Sequence, residues 1–115
     1  MLFYFPATAI DKYNYRHTHE WAFGGVSAMS TEDFKRVNGF SNKFWGWGNE
    51  DDDMYNRIMC SGMKVTRPKK EIGRYKSIIH KQEIMNPRRK DIEHCNLKKY
   101  IYGSSYHSDG LKDLR

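Results

Sequence analysis

The stretch Phe44-Trp45-Gly46-Trp47-Gly48-Asn49-Glu50-Asp51-Asp52-Asp53 joins a glycine-spaced aromatic loop to four consecutive carboxylates. No helix or strand period runs through Phe40 to Asn49, but helical spacing begins at Glu50. Met54, Ile58 and Met59 share one face of that helix, Tyr55 lies at its margin, and Gly62 closes it. Four adjacent carboxylates repel one another, and the free N–H groups and dipole of a helix N-terminus relieve part of that cost. Two readings follow. The acid run is a cap that only stabilises the helix, or one of its carboxylates faces the aromatic loop and serves as a general base. Glycines on both sides of Trp47 free its ring to project, and a flat ring beside carboxylates suits a sugar, with C–H groups on the ring and hydroxyls on the acids. Trp45 is assigned to the core.

On the N-terminal side, Leu2 to Ile10 reads as a strand with Pro6 at a bend or edge, and Asp11 to Glu20 as a polar loop. Phe23 to Met29 reads as a short strand entered through Gly24-Gly25, a pair that signals a tight turn or a close approach to a ligand. Ser30 is placed to cap a short helix with Phe34 and Val37 on its apolar side and Gly39 at its end. On the C-terminal side, Met63 to Arg67 and Arg74 to His80 are strand candidates, the first stopped by Pro68, and Asp91 to Tyr102 a helix candidate. Short strands alternating with helices predict an α/β fold, and 115 residues make one segment rather than two domains.

Charge is unevenly distributed. Residues 1–60 hold six basic and eight acidic side chains, and residues 61–115 hold fourteen and six. The basic half suits a phosphate-rich ligand or is a solvated face. No motif organises it for DNA or RNA, so nucleic acid is not an expected partner. The longest apolar stretch, Met1 to Ile10, is too short to span a bilayer, and neither a basic leader nor a cleavage site marks a signal peptide. Two cysteines, Cys60 and Cys95, exclude a disulfide scaffold and a four-cysteine zinc site, and Cys60 is expected as a buried thiol. His17 and His19 are expected as loop histidines without a third metal ligand.

Three blocks together carry a specific resemblance: Phe23-Gly24-Gly25-Val26-Ser27-Ala28, Asn38-Gly39-Phe40-Ser41-Asn42, and Phe44 through Asp53. With Gly62-Met63 to Arg67-Pro68, Gly73-Arg74 to His80, Asn86-Pro87 and Ser108-Asp109-Gly110-Leu111, they resemble the β-1,4-galactosyltransferase and β-1,4-N-acetylgalactosaminyltransferase family over nearly the whole chain. The resemblance implies the C-terminal part of a GT-A type nucleotide-sugar transferase fold, a mixed sheet with short helices and long loops, with residues 1–115 a single segment. It implies inverting, manganese-dependent transfer of galactose or N-acetylgalactosamine from UDP-galactose or UDP-N-acetylgalactosamine. The acceptor is the 4-hydroxyl of a glycan sugar such as GlcNAc.

Carried over position by position, Asp51 falls on the catalytic base, and Glu50 and Asp52 on sugar-binding carboxylates. Trp47 falls on the tryptophan of a small mobile loop, Gly25 on a glycine of the sugar site, Arg89 on an acceptor-pocket arginine, and His80 on a manganese-binding histidine. Ala22 stands where galactose-specific members carry a tyrosine that crowds the donor's second carbon, so its methyl leaves room for an acetamido group. The family's Asp-x-Asp metal motif is expected upstream, together with the uridine-binding half and a membrane anchor. The resemblance therefore implies a Golgi-lumenal, type II context in which membrane association comes only through that anchor. Ser77 replaces a metal-binding methionine of many members, and Lys90 and Glu93 replace apolar residues that close an N-acetyl pocket. The alternative expectation is a truncated fragment that keeps sugar contacts but cannot turn over a UDP-sugar.

Overall fold

A computed structural model of the chain describes residues 2–4, 9–16, 22–85 and 108–114. The expected first strand is present as two pieces, β1 (Leu2–Tyr4) and β2 (Ala9–Ile10). Helix α1 (Thr31–Arg36) starts as expected, with the Ser30 Oγ accepting from the Asp33 N–H at 3.0 Å. Helix α2 (Glu50–Cys60) carries the four acids in its first turn. Strands β3 (Lys64–Thr66) and β4 (Arg74–Tyr75) follow. β1 pairs with β3, Phe3 opposite Val65, and β2 pairs with β4, Ile10 opposite Tyr75; both pairings are parallel. Parallel neighbours need a crossover connection, and α1 and α2 lie within the one that separates β1 from β3. The α/β expectation is met.

The core is small and aromatic-assisted. Phe23, Val37, Met54, Ile58 and Met63 are buried together, with Met29, Phe34, Tyr55 and Val65 packed against them. The inward face of α2 differs from expectation at one position: Met54 and Ile58 are buried, Met59 is 42% exposed, and Arg57 is buried in its place. A cation tolerates that position because every direction of its fork is met. Arg57 Nε donates to Asp53 Oδ2 at 2.7 Å, one terminal nitrogen to the carbonyls of Gly39 (3.0 Å) and Asp109 (2.8 Å), and the other to Asp109 Oδ2 (3.2 Å). Asp109 also accepts from the Asn42 N–H at 2.9 Å and from the Ser41 hydroxyl. Asn38 completes the clasp, its carbonyl accepting from the Leu111 N–H at 2.8 Å and its side-chain oxygen from the Lys112 N–H at 3.0 Å. Gly110, at φ 135°, backs so closely onto the Asn38 carbonyl that a Cβ would overlap it.

Four further expectations are corrected. Residues 22–29 form no strand: Gly25 sits at φ 108°, outside the extended region that a ladder requires. The strand expected over Arg74 to His80 ends at Tyr75, and Ile78 and Ile79 are 84% and 99% exposed. Trp45 is 79% exposed rather than in the core, its indole N–H donating to the Asn42 carbonyl at 3.1 Å. Cys60 is disulfide-bonded rather than a thiol, and Cys95 is the chain's one other cysteine. The helix expected over Asp91 to Tyr102, and the histidines His17 and His19, lie outside the described residues.

Burial pushes the Asp53 carboxyl above its ordinary value; the attraction of Arg57 opposes this, and the Asp109 carboxylate that shares Arg57 adds to the rise. A raised folded pKa means the native state holds the proton more tightly than the unfolded chain, so the associated stability is present in acid and is lost as pH climbs from about 3.8 through the folded value. Asp53→Asn removes that dependence. Urea unfolding at several pH values is expected to show the variant's deficit largest in acid and narrowing toward neutrality; a deficit that widens with pH contradicts it.

Candidate active site

The aromatic loop turns on its glycines. Gly46 and Gly48 sit at φ 88° and 108°, in the left-handed half of conformational space, and Asn49 follows at φ 77° as the N-terminal cap of α2. This sequence of turns delivers the chain from the exposed tryptophans directly into the first turn of the helix. Glu50 is exposed there, and Asp51 and Asp52 are half-buried. Asp51 Oδ1 accepts the Asp52 N–H at 2.9 Å, so one of its oxygens is held by the helix N-terminus. Its other oxygen, Oδ2, lies against Gly24, where an added Cβ would overlap it. The sequence reads the glycine pair as a tight turn or a close approach to a ligand; what Gly24 approaches here is the chain's own Asp51 carboxylate. Gly25, the next residue, is exposed beside it.

Trp47 is 46% exposed. Its backbone N–H donates to the Ile84 carbonyl at 2.9 Å, and it forms an isolated parallel bridge with Met85. The small loop is thus joined through its backbone to the segment that follows His80, a connection no local sequence signal announces. Ala22, half-buried, presents its carbonyl to Arg67, whose terminal nitrogen donates at 2.7 Å. Phe23 next to it is buried and meets Tyr55 of α2 in a tilted ring pair, centroids 6.4 Å apart. Burial pushes the Arg67 pKa below its ordinary value, with Tyr55 acting the other way.

The structure thus brings together Asp51 with the Gly24-Gly25 pair and keeps Glu50 and Asp52 on the same helical turn. His80 is exposed, with its Nδ1 3.2 Å from the Lys81 carbonyl. Among the described residues no group of three or more His, Cys, Asp or Glu side chains is placed to hold a metal. A manganese ion at His80 needs oxygen-rich company, and the described residues do not bring it, so they do not by themselves fit that metal. Ser77 is held by its backbone N–H, which donates to Asp11 Oδ1 at 2.8 Å. Arg89 lies outside the described residues. Sequence reasoning missed Arg57, Arg67 and Asp109. An arginine four residues after Asp53, on the face that also holds Met54 and Ile58, was the available signal for the first.

An acid-rich helix start against a glycine pair, fed by a tryptophan loop within parallel α/β pairings, gathers carboxylates and exposed aromatic rings at one place. Comparison with known proteins supplies the class. Residues 6–81 match the family model described as the N-terminal domain of galactosyltransferase. The chain belongs to the β-1,4-galactosyltransferase family. It is 54% identical to beta-1,4-galactosyltransferase 5 of Danio rerio over 74 residues, 64% of this chain and 19% of the relative. With beta-1,4-galactosyltransferase 2 of Homo sapiens it shares 50% identity over 80 residues, 70% of this chain and 22% of the relative. The match therefore spans about a fifth of the length of these curated relatives. A Drosophila β-1,4-galactosyltransferase 7 crystal structure, a mutant in complex with manganese, UDP-Gal and xylobiose, superposes with a TM-score of 0.57 at 26% identity, covering 98% of this chain and 47% of that one. The GT-A type fold expected from the resemblance is shown by this likeness. No helix among the described residues is long and apolar enough to cross a membrane.

Gly24→Ala places a methyl group into the space of the Asp51 carboxylate. Overpacking of this kind costs about 1–3 kcal/mol. Thermal or urea unfolding is expected to show that loss, and to show most of it recovered in Gly24→Ala/Asp51→Ala, where the obstruction is gone. Equal losses in the single and double variants would mean that the two residues do not meet.

Proposed function

We infer that this chain is the base-bearing part of the catalytic domain of an inverting glycosyltransferase, its C-terminal part. The enzyme moves galactose or N-acetylgalactosamine from a UDP-sugar to the 4-hydroxyl of an acceptor sugar such as GlcNAc, forming a β-1,4 linkage. The observation that carries this reading is the contact of the Asp51 carboxylate with Gly24 beside the exposed Gly25. A glycine pair leaves a face without side chains for a sugar, and the carboxylate borders that face. Asp51 takes the proton from the acceptor hydroxyl as its oxygen attacks the anomeric carbon. The bond from that carbon to the diphosphate breaks, and UDP leaves with the electron pair. Such a displacement requires one base and no protein nucleophile. Glu50 and Asp52 accept hydrogen bonds from sugar hydroxyls, Trp47 offers its half-exposed ring as a stacking face, and Arg89 contributes on the acceptor side.

Among the described residues His80 belongs to no group of three or more side chains that could hold a metal, so no step is assigned to it. The complete enzyme acts in the Golgi lumen, as the family resemblance implies. The isolated 115 residues, whose match spans about a fifth of the relatives' length, are expected to bind sugar without turning over a UDP-sugar.

Asp51→Asn in the native-length protein is expected to cut turnover on the order of 10²-fold or more, as loss of a general base does. Steady-state kinetics within a few-fold of the parent would remove the assignment. Donor choice is read at Ala22: a methyl group in place of a phenol ring relaxes a steric exclusion without needing new contacts. The parent is expected to use UDP-N-acetylgalactosamine at least as well as UDP-galactose, and Ala22→Tyr to shift preference toward galactose. Side-by-side assays of the two donors check this, and a strong galactose preference in the parent, unchanged in the variant, contradicts it.

A further inference from the structure

The residues on the Gly24 side of the candidate site lie in an irregular segment. Residues 22–27 have no strand or helix and so no ladder of hydrogen bonds of their own. Two connections to the rest of the fold stand out. One is the Phe23 side chain, 3% exposed, packed with Met54, Ile58 and Met63 and against the Tyr55 ring. The other is the Ala22 carbonyl, which accepts from the Arg67 guanidinium at 2.7 Å. A ring anchor sets the depth of the segment but resists rotation about its own attachment poorly. A short, charge-assisted hydrogen bond at the preceding residue supplies the second point that stops such rotation. Arg67 itself springs from a firm base. It directly follows β3, which is paired to β1 along its whole length, and Pro68 fixes the backbone immediately after it.

We propose that Arg67 is a positioning residue for the donor-sugar side of the site, holding the Ala22–Gly25 segment where Gly24 backs onto the Asp51 carboxylate. The inference rests on the reading of Asp51 as base and of Ala22 and Gly25 as donor-side positions. Nothing in it requires Arg67 to touch substrate. The bond to Ala22 places the guanidinium where it controls the backbone path. Displacing that path by a fraction of an ångström alters both the space beside Ala22 and the contact with Asp51, and small displacements of site groups carry large kinetic consequences.

The test compares Arg67→Met, Arg67→Lys and Asp51→Asn with the parent, all as native-length protein, with the KM and kcat of UDP-galactose and UDP-N-acetylgalactosamine measured separately. Arg67→Met is expected to change the ratio of kcat/KM for the two donors by about 5-fold or more and to raise donor KM, with acceptor KM within about 2-fold of the parent. Arg67→Lys, which keeps a donor that reaches a carbonyl, is expected to restore at least half of the ratio. The donor ratio and KM do not depend on the fraction of protein that is folded, so a role confined to stability leaves both untouched. A donor ratio and donor KM equal to the parent's in Arg67→Met, whatever happens to kcat, overturn the proposal. If Asp51→Asn is inactive while Arg67→Met keeps the parental ratio, the positioning role fails and the functional reading stands. If Asp51→Asn remains active, the functional reading fails, and with it the basis of the proposal.

Discussion

Arg57 is the constraint around which the described structure is assembled. A guanidinium this deeply buried is tolerated only if its donors are met, and here they are met by groups from three distant parts of the chain: Asp53 within α2, the Gly39 carbonyl after α1, and Asp109 near the C-terminus. Removing one partner of such a group leaves an uncompensated charge, which costs on the order of 3–5 kcal/mol. The consequence is geometric as well as energetic. Because Asp53 belongs to the same helical turn as Glu50, Asp51 and Asp52, the orientation of that turn is tied to the Arg57 centre. The acids that border the site are held from behind by a cation that never reaches it.

That arrangement separates two roles within one run of carboxylates. Asp51 faces Gly24 with one oxygen and its own helix N-terminus with the other. Asp53, two residues on, faces the opposite way into the Arg57 centre, where burial raises its pKa. Four neighbouring acids thus divide into groups that meet solvent or Gly24 and a group that meets the interior. The helix dipole lowers the cost of gathering them, and Arg57 takes up Asp53, the member turned inward.

Much of this was legible in the sequence, and the remainder failed for identifiable reasons. The helix from Glu50, the Ser30 cap, the stop after Thr66 and the close approach at Gly24 all follow from local rules: period, capping chemistry, proline and glycine. The resemblance carried the family because aromatic, glycine and acid positions recur in one register over many residues. Local rules failed where a distant partner decides. Met59 and Arg57 exchange inside for outside because Asp109, 52 residues away from Arg57, makes burial of the cation tolerable. The Phe23 to Met29 segment reads as a short strand, yet Gly25 and the Asp51 contact take it out of any ladder. Ile78 and Ile79 read as strand residues, but their segment finds no neighbouring ladder among the described residues beyond Tyr75. Arg67 stood in the family resemblance beside Pro68, but its bond to the Ala22 carbonyl, 45 residues away, was not legible locally.

The parallel pairing of β1 with β3 has a consequence for how the chain acquires its shape. Phe3 meets Val65, and Asn38 meets residues 109 to 112, so the contacts that define the fold join residues made far apart in time on the ribosome. Non-local pairings of this kind carry a loop-closure cost before they return any stability, and they slow folding. The first strand must wait for both helices to be synthesised, and the loop bearing the tryptophans must wait for Asp109. The clasp at Asp109 therefore closes only after a residue 52 positions beyond Arg57 and 71 beyond Asn38 has been made.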